Sequence, residues 1–175
     1  MAEITQNSRT CVTFYRSAKG APHIVGYIPS TAIASTGFVG FGQVVQFDVN
    51  TGTNAHKIVR ASTATPVLST VLVGVAAEPD SSNVGQKIAI YQADPDAEFK
   101  FPTKATGAVH TSTLIGQRKA LAWDSTNAFH FLDTANSTAG DARLLVTDVL
   151  DPGTTNGYVV AKFLSTATAF VAGSK

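Results

Sequence analysis

Three carboxylates alternate along the stretch IAIYQADPDAEFKF, residues 88–101. Asp94, Asp96 and Glu98 stand at every second position, a spacing that places side chains on one face of a straight strand about 7 Å apart. Three carboxylates in that arrangement are able to hold a hard cation such as Mg²⁺ or Ca²⁺, or to perform acid/base chemistry. Whether this group binds a cation is left open by the sequence.

Pro95 favours a different interpretation of the same stretch, in which it forms a corner. Proline cannot donate to a β-ladder, and it biases Asp94 towards the extended conformation that commonly opens a turn. We therefore expect one strand to end near Ala93, the aspartates to cap free amides at the corner, and a second strand to begin at EFKF. In that strand Phe99 and Phe101 face inward.

The other residue types that catalyse reactions or bind metals are scattered along the chain. The histidines have no spacing that sets two imidazoles on one metal; they are His23, His56, His110 and His130. Cys11 is the only cysteine, which excludes an intramolecular disulfide and a multi-cysteine metal site, and we expect an inert buried thiol. No G-x-S-x-G elbow, S-x-x-K pair or phosphate-binding loop is present. The sequence predicts no enzyme, with no catalytic residue, cofactor site or metal ligand.

Trp123 allows two interpretations. An exposed tryptophan beside Phe129 and Phe131 suits a platform on which a sugar ring stacks. We instead expect Trp123 to pack in the core across a hairpin whose turn covers residues 124–127.

Composition and charge narrow the classes of partner. The 175 residues are 44% hydrophobic and only 14% charged, and the formal net charge is +1 with the basic residues scattered singly. Nucleic-acid binders concentrate positive charge, so no nucleic-acid partner is expected. No apolar run approaches the roughly 18 residues that a membrane-spanning helix needs, so no membrane partner is expected either. A weakly charged surface favours self-association.

Short apolar pieces interrupted by Pro and Gly predict an extended N-terminal arm over residues 1–42, ahead of a β-rich body over residues 43–175. The arm is too rich in aromatic and aliphatic residues for a solvated tail, so either the body of the same chain or a neighbouring chain must cover it. The residues predicted to bind a partner are Phe14, Tyr15, Ile24, Tyr27, Ile28, Phe38 and Phe41.

The body alternates short runs of Val, Ile and aromatic residues with turn clusters every ten to fifteen residues or so, which is typical of an antiparallel barrel or sandwich. The predicted fold is all-β, of jelly-roll or OB-like type, with strand order left open. The alternation also places Phe129 and Phe131 opposite His130. The predicted strands cover 43–49, 56–61, 70–77, 86–92, 97–101, 119–123, 128–132, 142–149 and 157–164.

The body carries VLVGVAAEPDSSNVGQKIAIYQADPDAEFKF, LIGQRKALAWD and GDARLLVTDV, spread over residues 40–165. In this pattern the chain resembles the capsid decoration, or cement, proteins of tailed bacteriophages. The resemblance implies a homotrimer that binds the major capsid protein, clamps neighbouring subunits on the outer surface of the head, and has no catalytic residues. We expect a virion protein made in the host cytoplasm, because the N-terminus has no secretory signal. We hypothesise that the arm, residues 1–42, docks on the capsid or exchanges between protomers.

Three other functions remain as alternatives. A carbohydrate- or receptor-binding module of head-fibre or adhesin type would use Trp123 and the Thr/Asn loops. A metal-dependent hydrolase would use the three alternating carboxylates. A barrel that binds single-stranded nucleic acid is disfavoured because a basic groove is missing.

Overall fold

The computed structural model describes residues 11–18, 20, 22–29, 41–48, 57–61, 72–78, 85–103, 111–125, 129–136, 142–153 and 157–168. Eleven β-strands and two short 3₁₀ turns, and no α-helix, occur within these ranges. The strands are β1 (Thr13–Ser17), β2 (Ile24–Tyr27), β3 (Val44–Phe47), β4 (Ile58–Arg60), β5 (Leu72–Ala76), β6 (Ile88–Gln92), β7 (Ala97–Pro102), β8 (Arg118–Asp124), β9 (Phe129–Asp133), β10 (Ala142–Val149) and β11 (Tyr158–Phe163). The 3₁₀ turns cover Ser112–Leu114 and Ser165–Ala167.

The strands form two antiparallel sheets. One has six strands in the order β1-β7-β11-β10-β8-β9, and the other has five in the order β2-β6-β5-β3-β4. Both sheets curl, so that isolated bridges join strands that are far apart in the strand order. Thr103 pairs with Leu132 in one sheet, and Pro29 pairs with Ile58 in the other. The packed pair of antiparallel sheets confirms the predicted all-β class and is consistent with a sandwich.

Two clusters of buried apolar residues form the hydrophobic cores of the two sheets. The larger core lies between the sheets and draws on both of them, with Phe99, Leu144 and Val44 among its fully buried members. The smaller core includes Ile58, Val73 and Ile90 and is formed by the five-stranded sheet alone. All five residues of β5 are buried because one of these cores covers each of its faces, which explains its uninterrupted small and apolar sequence LVGVA.

All nine strands predicted for the body are present, with ends within two residues of the prediction. The predicted alternation is confirmed as well. Ile88 and Ile90 are buried, and His130 faces inward while Phe129 and Phe131 on the opposite face are half-buried. The strands with the clearest period-two pattern are those with one face towards a core.

Two parts of the predicted arm are strands of the sheets, which corrects the division at residue 42 for these segments. Strand β1 pairs with β7 at the edge of the six-stranded sheet, and β2 pairs with β6 at the edge of the five-stranded sheet. Val12 is fully buried, and its amide donates to the carbonyl of Gly42 at 3.1 Å. The body of the same chain therefore covers part of the apolar surface of these segments, including Val12 and Phe14. Residues 1–10 and 30–40 of the predicted arm lie outside the described residues.

Candidate functional site

The aspartates of the alternating carboxylates form a corner between the two sheets. Strand β6 ends at Gln92 in the five-stranded sheet, and β7 begins at Ala97 in the six-stranded one. The amide of Asp96 donates to Asp94 Oδ1 at 2.9 Å, and the amide of Ala97 donates to the Asp94 carbonyl at 2.9 Å. The predicted corner, with an aspartate cap and a new strand, is confirmed, and Phe99 and Phe101 are fully buried as expected.

Glu98 is not part of the corner formed by the two aspartates but interacts with two basic side chains. Its side chain is buried and accepts a hydrogen bond from Arg16 Nε, while Lys162 Nζ lies 3.7 Å from its other carboxylate oxygen. The hydrogen bond to Glu98 raises the pKa of the Arg16 guanidinium. Glu98 thus ties β1, β7 and β11 together. Within the described ranges, no three His, Cys, Asp or Glu side chains are grouped so that they could hold a metal ion.

His130 joins the two sheets through both of its ring nitrogens. The amide of Val44 on β3 donates to Nδ1 at 3.1 Å, so the ring proton sits on Nε2, which donates to the carbonyl of Ala61 at 3.1 Å. Burial lowers the pKa of His130 to about 4. The nearby charge of Arg60 lowers this pKa further, whereas the hydrogen bond to Ala61 raises it. A buried, neutral imidazole here is a structural link that the sequence did not reveal. Of the other histidines, His23 is exposed, and His56 and His110 lie outside the described residues.

Cys11 is half-buried beside the start of β1, and its thiol is free. Burial raises the pKa of this thiol, and the charge of Lys100 only partly offsets the effect. Because the thiolate is the reactive form, Cys11 is a poor nucleophile at neutral pH.

Trp123 is half-buried and packs across the β8–β9 hairpin against the ring of His130, with centroids 4.8 Å apart. This matches the expected packing across the hairpin. The guanidinium carbon of Arg60 lies 4.2 Å from the centroid of the same indole. These two contacts occupy ring surface that a stacked sugar would need.

The residues predicted to bind a partner divide into packed and exposed groups. Phe14 stacks on Tyr91 with centroids 5.6 Å apart, and Tyr27 packs edge-on against Phe47 at 5.7 Å. Ile28 is half-buried, and Phe38 lies outside the described residues. The exposed members are Tyr15, Ile24 and Phe41, with exposed fractions of 41%, 51% and 45%.

We call these three residues the N-terminal edge patch. Tyr15 lies on β1, the edge of one sheet, and Ile24 lies on β2, the edge of the other. Ile24 is paired with Tyr91, whose ring stacks on Phe14 of β1, so the two edges lie on the same side of the sandwich. Phe41 precedes Gly42, whose carbonyl accepts a hydrogen bond from the amide of Val12 just before β1. The fold therefore leaves exposed apolar side chains on the edge strands of both sheets.

Among the helical segments of the described residues, none has the length and hydropathy needed to cross a bilayer. Comparison of the chain with protein-family models, with curated proteins and with solved structures gives no match in any of the three.

Proposed function

We propose that this chain is a capsid decoration protein that binds the outer surface of a phage head as a homotrimer and stabilises contacts between major capsid subunits. The observation that carries the proposal is the N-terminal edge patch. Of the four large hydrophobic side chains that are exposed in the described residues, three belong to this patch and one, Ile115, lies elsewhere.

The position of the patch favours a docking role. In the described residues, β1 pairs with another strand along one edge only. The outer edge of β2 meets another strand only just beyond its end, where Ile28 and Pro29 contact Ile58 of β4. An edge strand offers backbone donors and acceptors to another chain, and adjacent apolar side chains supply the area that makes such pairing stable. Only 14% of the residues are charged, so little electrostatic repulsion opposes contact with another protein.

A mechanical role follows from the physics of such an interface. A protein that buries area across the boundary between two capsid subunits increases the work needed to separate them. Three linked copies raise the effective concentration of the second and third contacts, so individually weak docking becomes long-lived. This role needs no catalytic group and no cofactor.

The triple variant Tyr15→Ser, Ile24→Ser, Phe41→Ser is expected to bind heads at least about tenfold more weakly than the wild type, because it removes the apolar anchors of the interface. Point variants are preferable to deleting the segment, since deletion would remove β1 and β2 from the sheets. The measurement is co-sedimentation with purified heads that lack the decoration protein.

Ile115→Ser is the matched control, since Ile115 is 48% exposed but lies outside the patch. It should bind heads as the wild type does. Equal co-sedimentation of the triple variant and the wild type would show that the patch is not the docking surface.

Self-association is a separate expectation. Size-exclusion chromatography with light scattering should give a mass three times that of the 18.2 kDa chain. A strict monomer at high concentration contradicts the trimer. If the triple variant is a monomer and the wild type a trimer, the patch forms the contact between protomers.

A further inference from the structure

Arg60 and Trp123 form a stacked pair that links the two sheets. Arg60 ends β4, the edge strand of the five-stranded sheet, and Trp123 lies on β8 of the other sheet. Both side chains are half-buried, and the guanidinium carbon lies 4.2 Å from the indole centroid. A cation over an aromatic face is attracted by the ring quadrupole, so the contact restricts the orientation of the guanidinium.

The donors of this guanidinium are not used by the described part of the chain. No hydrogen bond or ion pair joins Arg60 to any described residue, whereas Arg16 binds Glu98 and buried Lys119 donates to the carbonyl of Thr134 at 2.7 Å. The segments that flank β4 and connect β8 to β9, residues 49–56, 62–71 and 126–128, contain no Asp or Glu. The charge of Arg60 is felt nearby, since it contributes to lowering the pKa of His130.

A half-buried arginine that is stacked on an aromatic ring and has unused donors favours the binding of an anion. Partial burial has removed some of its water, so an added carboxylate replaces weaker solvation than at a fully exposed arginine. The planar fork matches a carboxylate with two parallel hydrogen bonds. Because Trp123 already restricts the side chain, less rotamer entropy is lost on binding.

We propose that Arg60, held against Trp123, binds the carboxylate of an Asp or Glu side chain on a partner protein. A single guanidinium in a chain of net charge +1 suits a singly charged group, whereas phosphate binding and nucleic-acid binding rely on clustered basic residues. Identifying the partner as a capsid subunit rests on the proposed function, but the chemistry of the site does not.

The first test uses the isolated protein. Trp123 is the only tryptophan, so its fluorescence reports on this site alone. Sodium acetate is titrated at pH 7.5 against sodium chloride of equal ionic strength. We expect a saturable acetate-dependent change that is lost in Arg60→Gln and retained in Arg118→Gln, an exposed arginine on the same strand as Trp123.

Three outcomes overturn the proposal. The first is an equal response to chloride and acetate, and the second is an equal response of Arg60→Gln and the wild type. The third is tighter binding of inorganic phosphate than of acetate in a parallel titration, which would overturn the assignment to a carboxylate. Far-UV circular dichroism checks that both variants keep the fold.

The second test uses purified heads. Arg60→Gln should weaken co-sedimentation about tenfold, while Arg60→Lys, which keeps the charge but lacks the fork, should recover only part of the loss. Wild-type binding to heads with no effect of Arg60→Gln overturns a role for Arg60 and leaves the proposed function standing. Failure of the wild type to bind heads contradicts the proposed function, and the acetate titration still decides whether Arg60 binds carboxylates.

Discussion

Lowering the pH from 7 to 5 is expected to reduce the free energy of unfolding by about 2 kcal/mol through His130, and the loss should reach about 3 kcal/mol at pH 4. The pKa of His130 is about 4 in the folded protein and about 6.5 in an unfolded chain. As the pH falls through 6.5, the unfolded state therefore takes up a proton that the folded state still excludes. Stability decreases from about pH 6.5 to about pH 4 and is insensitive to this group above about pH 7.

The hydrogen bonds of His130 explain why the folded state excludes the proton. Nδ1 already accepts a bond from the Val44 amide, and a proton on that nitrogen would set two donors against each other. The charged ring would also be fully buried, and the charged side chain that acts on it is Arg60, another cation. Protonation thus breaks the link between β9 and the β3–β4 edge of the facing sheet.

His130→Gln separates this effect from general acid sensitivity. A glutamine side chain carries both an acceptor for the Val44 amide and a donor for the Ala61 carbonyl, and it does not titrate. We expect this variant to lose the acid sensitivity between pH 7 and 5. His23→Gln, which changes an exposed histidine, should retain it. Urea unfolding at pH 7, 6 and 5, followed by the fluorescence of Trp123, measures all three proteins.

Identical pH profiles for the wild type and His130→Gln would contradict the assignment to His130. A His23→Gln profile as flat as that of His130→Gln would do the same. Carboxylates elsewhere contribute to acid denaturation, but their contribution is common to all three proteins and cancels in the comparison.

The body strands were predictable because burial of one face leaves a pattern in the sequence. Ile88 and Ile90 alternate with less buried residues, and Pro95 marks the point where the chain leaves one sheet for the other. Strands β1 and β2 were missed as members of the sheets because Pro and Gly interrupt their surroundings. Their place depends on pairing with β7 and β6, more than sixty residues away along the chain.

The contacts around Trp123 join residues that are far apart in the chain, and a single sequence does not predict such contacts. Arg60 stacks on this ring from a strand 63 residues earlier, and His130 bonds Val44 across 86 residues. Local periodicity places His130 on the inner face of β9 but contains no information on which backbone groups it meets. The exposed members of the N-terminal edge patch were named from their apolar character, whereas their exposure is decided by the edge positions of β1 and β2.

Gly74→Ala is expected to lower the free energy of unfolding by about 3 kcal/mol, because the added methyl group has no space in the centre of the five-stranded sheet. Gly74 lies on β5 and faces Gln92 on β6 and Val45 on β3. A Cβ atom at this position would overlap the carbonyl oxygen of Tyr91 and lie 2.9 Å from its carbonyl carbon. These are backbone atoms held in a ladder, so no rotamer change can relieve the overlap.

Gly26→Ala is the control for this prediction, since Gly26 also lies in a strand of the same sheet. Its Cβ would meet only the flexible side chain of Lys87, at 3.4 Å, so we expect stability within about 1 kcal/mol of the wild type. Urea unfolding at pH 7 compares the variants, and resistance to limited proteolysis replaces it if Gly74→Ala does not fold. Equal stability of the two variants would mean that β5 and β6 can separate without loss.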